Sequence, residues 1–274
     1  MEDPVEYNIE GINQMQVKPQ IGLNFANALR SIVRQDPDII MIGEMRDEET
    51  AAIAVQSALT GHLVLSTLHT NNAAGSITRL LDMGVEDYLL TSTVNAVLAQ
   101  RLVRSLCRHC REAYTPLDEL VLRWGLRRFA GDGPVSLYRA VGCEHCGHTG
   151  YSGRNAIVEL LLMTDPIKQL ILQHSDAGEI ARVAAEGGMQ LMLDDGLRKA
   201  VAGDTTIEEV RRVTQEQSHH QLQRDNPATA SADTEARQAA ETAASSSTGS
   251  NDDADSDRPQ GWHMTTLSKF KPRK

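Results

Sequence analysis

The stretch Ile39–Asn71, IIMIGEMRDEETAAIAVQSALTGHLVLSTLHTN, decides the fold of this chain. It opens on an unbroken apolar run, Ile39-Ile40-Met41-Ile42, as expected for a strand buried on both faces in a parallel sheet. Gly43 ends the run and Glu44 follows. Asp47 is placed to cap a helix over Glu48 to Leu59, a segment rich in alanine. Thr60-Gly61 stops that helix. A second apolar run, Leu63-Val64-Leu65, then leads into Ser66-Thr67-Leu68-His69. Strand, helix and strand at this spacing predict a right-handed βαβ crossover and an α/β fold.

Such a unit places chemistry at strand ends, because ligands of open α/β sheets sit beyond the carboxyl ends of the strands. Glu44 and His69 each lie just past such an end. An apolar strand that ends in an acid is how P-loop nucleotidases present a Mg²⁺-associated or water-activating carboxylate. The plain alternative for both residues is a solvated turn position.

Upstream, Leu23 to Arg34 reads as a helix with Phe25, Leu29, Ile32 and Val33 on one face. Arg30 and Arg34, four apart, share the other. They are either a solvated basic face or phosphate contacts made within or between subunits, as arginine fingers are. Pro37 breaks this helix before the strand. Downstream, Ala73 to Met83 reads as a helix with Ile77, Leu80 and Leu81 buried. Arg79, on its polar side, either contacts nucleotide or is solvated. Val85 to Leu106 reads as a further helical stretch whose Leu, Val and Ala residues form core.

Cys107-Arg108-His109-Cys110 and Cys143-Glu144-His145-Cys146 are two CxxC pairs separated by 32 residues, 111 to 142. Four thiolates suit a tetrahedral, structural Zn²⁺ site with no position open to substrate. A redox pair is the main competitor, and His109, His145 and His148 are alternative ligands. The long gap calls for a small subdomain with a helix near Leu117 to Phe129. Gly147 to Gly153 is glycine-rich but lacks a phosphate-loop lysine, and a strand (Ala156 to Leu162) follows it. Thr164-Asp165-Pro166 starts a helix. Short helices follow near Gly178 to Ala185, Met189 to Val201 and Thr206 to Thr214, the last with capping-box spacing at Thr205 to Glu208.

The 274 residues, net charge −10 and 41% apolar content describe an acidic chain of one or two domains. That charge argues against nonspecific nucleic-acid binding. No apolar run approaches the length of a membrane span, and no signal peptide is evident. Cysteines in two tight pairs without a signal point to a reducing compartment. Ser218 to Gly261 is rich in small and polar residues, with one leucine and no aromatic, and is expected to be disordered. The basic end, Trp262 to Lys274, suits an acidic partner, anionic lipid or plain solvation.

Several strings together resemble the secretion ATPase superfamily of type II secretion, type IV pili and DNA uptake. IGEMRDEETAAIAVQSALTGHLVLSTLHTNNA is similar to its Walker B and His-box region, and EDPVEY (Glu2 to Tyr7) to its Asp box. LRSIVRQDPD (Leu29 to Asp38) resembles the arginine-bearing stretch before Walker B. TRLLDMGVE, LAQRLVRSLC and the CxxC pairs with TGYSGR also fit. The resemblance covers residues 2 to 214 and is nearest to the type II secretion ATPases of the general secretion pathway protein E branch. Pilus-extension ATPases are the near neighbour.

The resemblance implies a RecA-like P-loop ATPase core over 1–106 and an inserted tetracysteine zinc subdomain over 107–153. A strand and small helical lobe over 154–216 and a disordered tail over 217–274 complete the expected order. It implies ATP, Mg²⁺ and Zn²⁺ as cofactors and a homo-hexameric ring. The ring would act in the cytoplasm, peripheral to the bacterial inner membrane, against a platform protein and an adaptor of the membrane machine. It assigns Glu44 to catalysis, Glu2 and Asp3 to the nucleotide and its metal, His69 to the γ-phosphate, and Arg30, Arg34 and Arg79 to phosphate charge. Cys107, Cys110, Cys143 and Cys146 would hold the zinc. One part of the pattern is missing: no G-x-x-x-x-G-K-[ST] occurs in residues 1 to 274. The expectation is therefore the C-terminal portion of a longer ATPase, inactive alone. The competing reading is a non-catalytic assembly subunit.

Overall fold

In the computed structural model, which describes residues 1–214, the Ile39-Ile42 run is a strand, β1 (Ile39–Ile42). It lies parallel to β2 (Leu63–Ser66), with Ile39 opposite Leu63 and Ile42 opposite Ser66. The crossover is α2 (Glu48–Leu59). Its first turn is closed by the Asp47 carboxylate, which accepts from the Thr50 N–H at 2.8 Å, the cap expected from sequence. Before β1 runs α1 (Phe25–Val33), capped by Asn24. Ala28 and Leu29 of α1, Ile40 and Ile42 of β1, Ala54 of α2 and Met1 form one buried cluster. Met1 lies along the edge of β1, and its carbonyl accepts from the Gly43 N–H at 2.8 Å.

The expectation that β1 is buried on both faces is corrected. Burial alternates along it, and Ile39 and Met41 are 60% and 57% exposed, as are Leu63 and Leu65 of β2 in large part. The α1 and α2 side chains that reach this sheet meet Ile40 and Ile42, so they cover the same face. Nothing among the described residues covers the other.

A second correction concerns residues 85–106. Only α4 (Asp87–Thr93) is helical, and Ala96–Leu106 is a strand, β3. It pairs antiparallel with β6 (Tyr151–Leu162) from Ala96 opposite Leu162 to Leu106 opposite Tyr151. Leu, Ala, Arg and Gln favour helix intrinsically, but a partner strand overrides so weak a preference. Exposure accordingly alternates with period two: Leu98 and Leu102 face out, whereas Val103 is buried. Of the leucines expected in the core here, Leu98 and Leu102 are surface residues, whereas Leu90 and Leu106 are buried as expected.

At the shared end of β3 and β6 sits an insertion of β4 (Glu112–Tyr114), α5 (Asp118–Trp124) and β5 (Leu137–Arg139), with β4 antiparallel to β5. Its core residues Leu126, Val135 and Leu137 pack with Leu197, Ala200 and Ile207 from the C-terminal helices. At the other end, α3 (Ala73–Asp82) packs Ala73, Ala74 and Ile77 against Leu161, Ile167, Ile171 and Ile180. These come from β6, α6 (Asp165–Leu172) and α7 (Ala177–Glu186). After α8 (Met192–Val201), residues 207–214 are again helical. Their cap is one position later than the sequence spacing suggested. Thr206 Oγ1 accepts from the Glu209 N–H at 3.3 Å, while the Thr205 hydroxyl donates to the Arg104 carbonyl at 2.8 Å. The tail expected over 217–274 lies outside the described residues.

Buried carboxylates tie the hairpin to these helices. Glu209 accepts from the Arg104 side chain at 2.6 Å, the Arg104 N–H at 3.1 Å and the Arg212 side chain at 3.0 Å. Burial alone would raise its carboxyl, but these donors outweigh it and hold the group at about 2, down from 4.5. A depressed carboxyl contributes stability that is complete above the ordinary value and is lost as pH falls through the folded-state value. Glu209→Gln is therefore expected to destabilise the protein at neutral pH and to flatten its loss of stability between about pH 4.5 and 2. Chemical denaturation across that range reads the effect, and an unchanged acid slope would assign the slope to other carboxylates.

Candidate functional site

Parallel pairing explains how the two strand-end residues meet. With Ile42 level with Ser66, the segments that follow leave the sheet side by side. The Met45 N–H donates to the Thr67 carbonyl at 3.1 Å, and the Thr67 hydroxyl to the Gly43 carbonyl at 2.6 Å. Glu44 and His69 are thereby brought into contact, Nε2 to Oε2 at 3.2 Å. Glu44 is largely shielded, with 13% of its side chain exposed, whereas His69 projects into solvent at 86%. Beside Glu44 opens a cleft of ≈ 330 Å³ that is also lined by Glu2, Asp3, Gly43 and Phe25. Four of the residues singled out from sequence thus converge on one place.

The other Glu44 oxygen is held by Arg46 at 2.5 Å. That bond, helped by the His69 contact and the charge of the Arg46 guanidinium, outweighs burial and keeps the Glu44 carboxyl below its ordinary range. Glu44 is therefore a carboxylate at neutral pH, a form able to accept a proton from water or hold a cation. Sequence reading passed over Arg46, although it stands only two residues beyond the acid. Arg30, Arg34 and Arg79 do not line the cleft. Arg30 is paired with Glu49 at 2.5 Å and bonded to Asn27. Arg34 is exposed at the C-cap of α1, and Arg79 is exposed in the last turn of α3.

The four cysteines form a second constellation. Their Sγ atoms all lie within 4.8 Å of one another. Three pairs are closer: Cys107 to Cys143 at 3.9 Å, Cys110 to Cys146 at 3.9 Å and Cys143 to Cys146 at 3.8 Å. A tetrahedron with Zn–S bonds of ~2.3 Å has edges of about 3.8 Å, so this donor set fits zinc in number, element and spacing. None of the four is in a disulfide. Backbone N–H groups of Gly142, Cys143 and Gly150 point at the sulfurs of Cys110, Cys146 and Cys146, at 3.3, 3.2 and 3.2 Å. Burial pushes the Cys110 thiol up to about 12. Burial also acts on Cys146, but the Cys143 and Gly150 N–H groups outweigh it and bring that thiol down to about 6. The knuckles need glycine at 142 and 150: both have positive φ, and a Cβ would meet the His148 carbonyl oxygen at 2.6 Å and the Ala140 Cβ at 2.5 Å. His109 and His145 stack on each other at 4.1 Å. The sulfurs alone complete a four-ligand set.

The solved structure of the pilus retraction motor PilT with bound ADP is similar to this chain at a TM-score of 0.51 and 27% identity, over 77% of this chain and 50% of that one. The fold is thus that of the RecA-like ATPases. The family profile described as type II/IV secretion system protein matches residues 1–212, and the chain belongs to that family. The type II secretion system protein E of Xanthomonas campestris pv. campestris is 64% identical over 216 residues, 79% of this chain. The type II secretion system ATPase E of Vibrio cholerae is 51% identical over 217 residues, again 79% of this chain. The matched part spans 38% of the first relative and 42% of the second. Among the described residues no helix is long and apolar enough to cross a membrane.

Proposed function

We propose that this chain is the catalytic-carboxylate and zinc portion of a cytoplasmic ATPase that powers type II secretion. On this reading it drives pseudopilus assembly from a hexameric ring at the inner membrane, against the platform protein and adaptor of that machine. The observation that carries the reading is the meeting of Glu44 and His69 at the ends of two parallel strands, beside a cleft holding Glu2 and Asp3, in a chain of this family.

The family resemblance and the geometry support the following roles. Glu44, held as a carboxylate, orients the attacking water and accepts its proton. Glu2 and Asp3 would supply oxygen ligands for Mg²⁺, which would offset phosphate charge. His69, exposed and tethered to Glu44, would face the γ-phosphate. Arg30, Arg34 and Arg79 stand outside the cleft, so a phosphate contact from them would be made across a subunit boundary, the alternative being a solvated basic surface. The cysteine cluster holds Zn²⁺ away from the chemistry and fastens the insertion to the β3–β6 hairpin. Likeness to the type IV pilus assembly ATPase PilB of Thermus thermophilus, 54% identical over 210 residues, supports a second reading, pilus extension.

Residues 1 to 274 alone are expected to release no phosphate from MgATP, because phosphoryl transfer rests on positioning that a phosphate loop provides. The direct test is a chimera in which residues 1 to 214 replace their counterpart in the Vibrio cholerae ATPase. Steady ATP hydrolysis supports the reading. A folded chimera that binds ATP without hydrolysing it favours the non-catalytic subunit.

A further inference from the structure

His69 is 86% exposed and sits in a loop outside regular structure. Something must nonetheless hold that loop, because the reading above requires His69 in one place. Two side chains from the β3–β6 hairpin reach it. Arg101, on β3, donates from Nη2 to the Thr70 carbonyl at 3.3 Å and to Asn71 Oδ1 at 3.0 Å. Glu159, on β6, is 6% exposed and accepts from the Ala73 N–H, the first of α3, at 2.7 Å. Its other oxygen accepts from the Met192 N–H, the first of α8, at 3.1 Å. A carboxylate is favoured where helix N-termini present unbonded N–H groups and the positive ends of their dipoles.

The register makes these two residues a unit. Arg101 lies opposite Ile157 and Glu159 opposite Ala99, so both project from the same face of the hairpin, one strand apart. That face packs on α3 through Val97, Ala99 and Leu161. The loop between β2 and α3 is therefore anchored at residues 70–71 by the arginine and at residue 73 by the glutamate. Asn72, between them, caps α3 by accepting from the Gly75 N–H at 2.8 Å.

We propose that Arg101 and Glu159 are positioning residues that clamp the 70–73 segment and thereby hold His69 against Glu44. The proposal rests on the reading that His69 faces the nucleotide. The clamp itself exists without nucleotide, so it is tested separately. Neither residue touches the cleft; both act through the loop.

The experiment is amide hydrogen exchange and His69 ring NMR on the full chain, without nucleotide. Arg101→Met keeps the aliphatic stem of this half-buried residue and removes both bonds. It is expected to raise exchange at Ala73 and Gly75 by about tenfold or more and to move the His69 ring signals, while the Met192 amide keeps its rate. Arg101→Lys should recover part of the protection. Glu159→Gln should raise exchange at Ala73 and Met192 together, since it serves both helices. Unchanged Ala73 and Gly75 exchange with unmoved His69 signals in Arg101→Met would overturn the clamp. So would an equal rise throughout the chain, which is the mark of a purely structural role. Failure of the ATPase reading appears elsewhere, in ATP hydrolysis by the chimera, and leaves these exchange rates untouched.

Discussion

Glu44→Gln in the chimera with the Vibrio cholerae ATPase is expected to leave ATP binding intact and to slow phosphate release by at least about 10²-fold. The amide has nearly the shape of the carboxylate, so the cleft beside it should keep its form. What disappears is the negative charge and the basicity. The parent carboxylate is shielded, yet Arg46 and His69 keep it ionised. It can therefore accept a proton from water without first losing one. A glutamine can accept a hydrogen bond from that water but cannot take its proton, and it no longer holds the partners that fix its rotamer. The comparison uses equilibrium binding of ATP alongside steady-state phosphate release. Turnover within a few-fold of the parent would remove Glu44 from the catalytic role and leave its ion pair with Arg46 as a structural bond.

The second large effect concerns the sulfur cluster. The parent is expected to purify with one zinc, and a variant with Cys107→Ser and Cys143→Ser with none. Structural zinc contributes ~10–16 kcal/mol of binding free energy in small metal-dependent domains, and that energy is folding energy. Here the cluster joins the ends of β3 and β6 across an insertion of 32 residues between the CxxC pairs. Even if only about 5 kcal/mol is expressed in the whole chain, a loss of more than about 10 °C in Tm should follow. The melt and an elemental analysis read the two results together. A zinc-free parent with four titratable thiols and the same Tm as the double variant would show that close packing, not metal, assembles the knuckles.

The punctuated part of the fold was legible in the sequence. Gly43, Asp47 and Thr60-Gly61 mark where β1 ends, where α2 is capped and where it stops. The structure has each boundary there. The cysteine pairs were legible for the same reason, since donor identity and spacing are local facts. The strand over 96–106 was not legible, because its residues are helix formers and its partner, β6, lies beyond the whole zinc insertion. Pairing at that separation leaves no trace in a short window. The open face of β1 was also misread: an unbroken apolar run says that both faces are apolar, not that both are covered. Arg46, Arg101, Glu159 and Glu209 were missed because a buried or bridging charge is defined by what it meets in space, and its partners stand up to 105 positions away in sequence. The contact between Glu44 and His69 was legible because parallel strands of one crossover bring their ends side by side.

The proposed role of residues 1 to 214 as a working part of a type II secretion motor has a cellular test. It is tested most directly in Vibrio cholerae cells whose own type II secretion system ATPase E has been replaced by the chimera, with secreted cargo measured in the medium. The chimera is expected to restore secretion, and its Glu44→Gln form is expected not to. A chimera that is made in full, hydrolyses ATP in vitro and leaves the cargo inside the cell would contradict it.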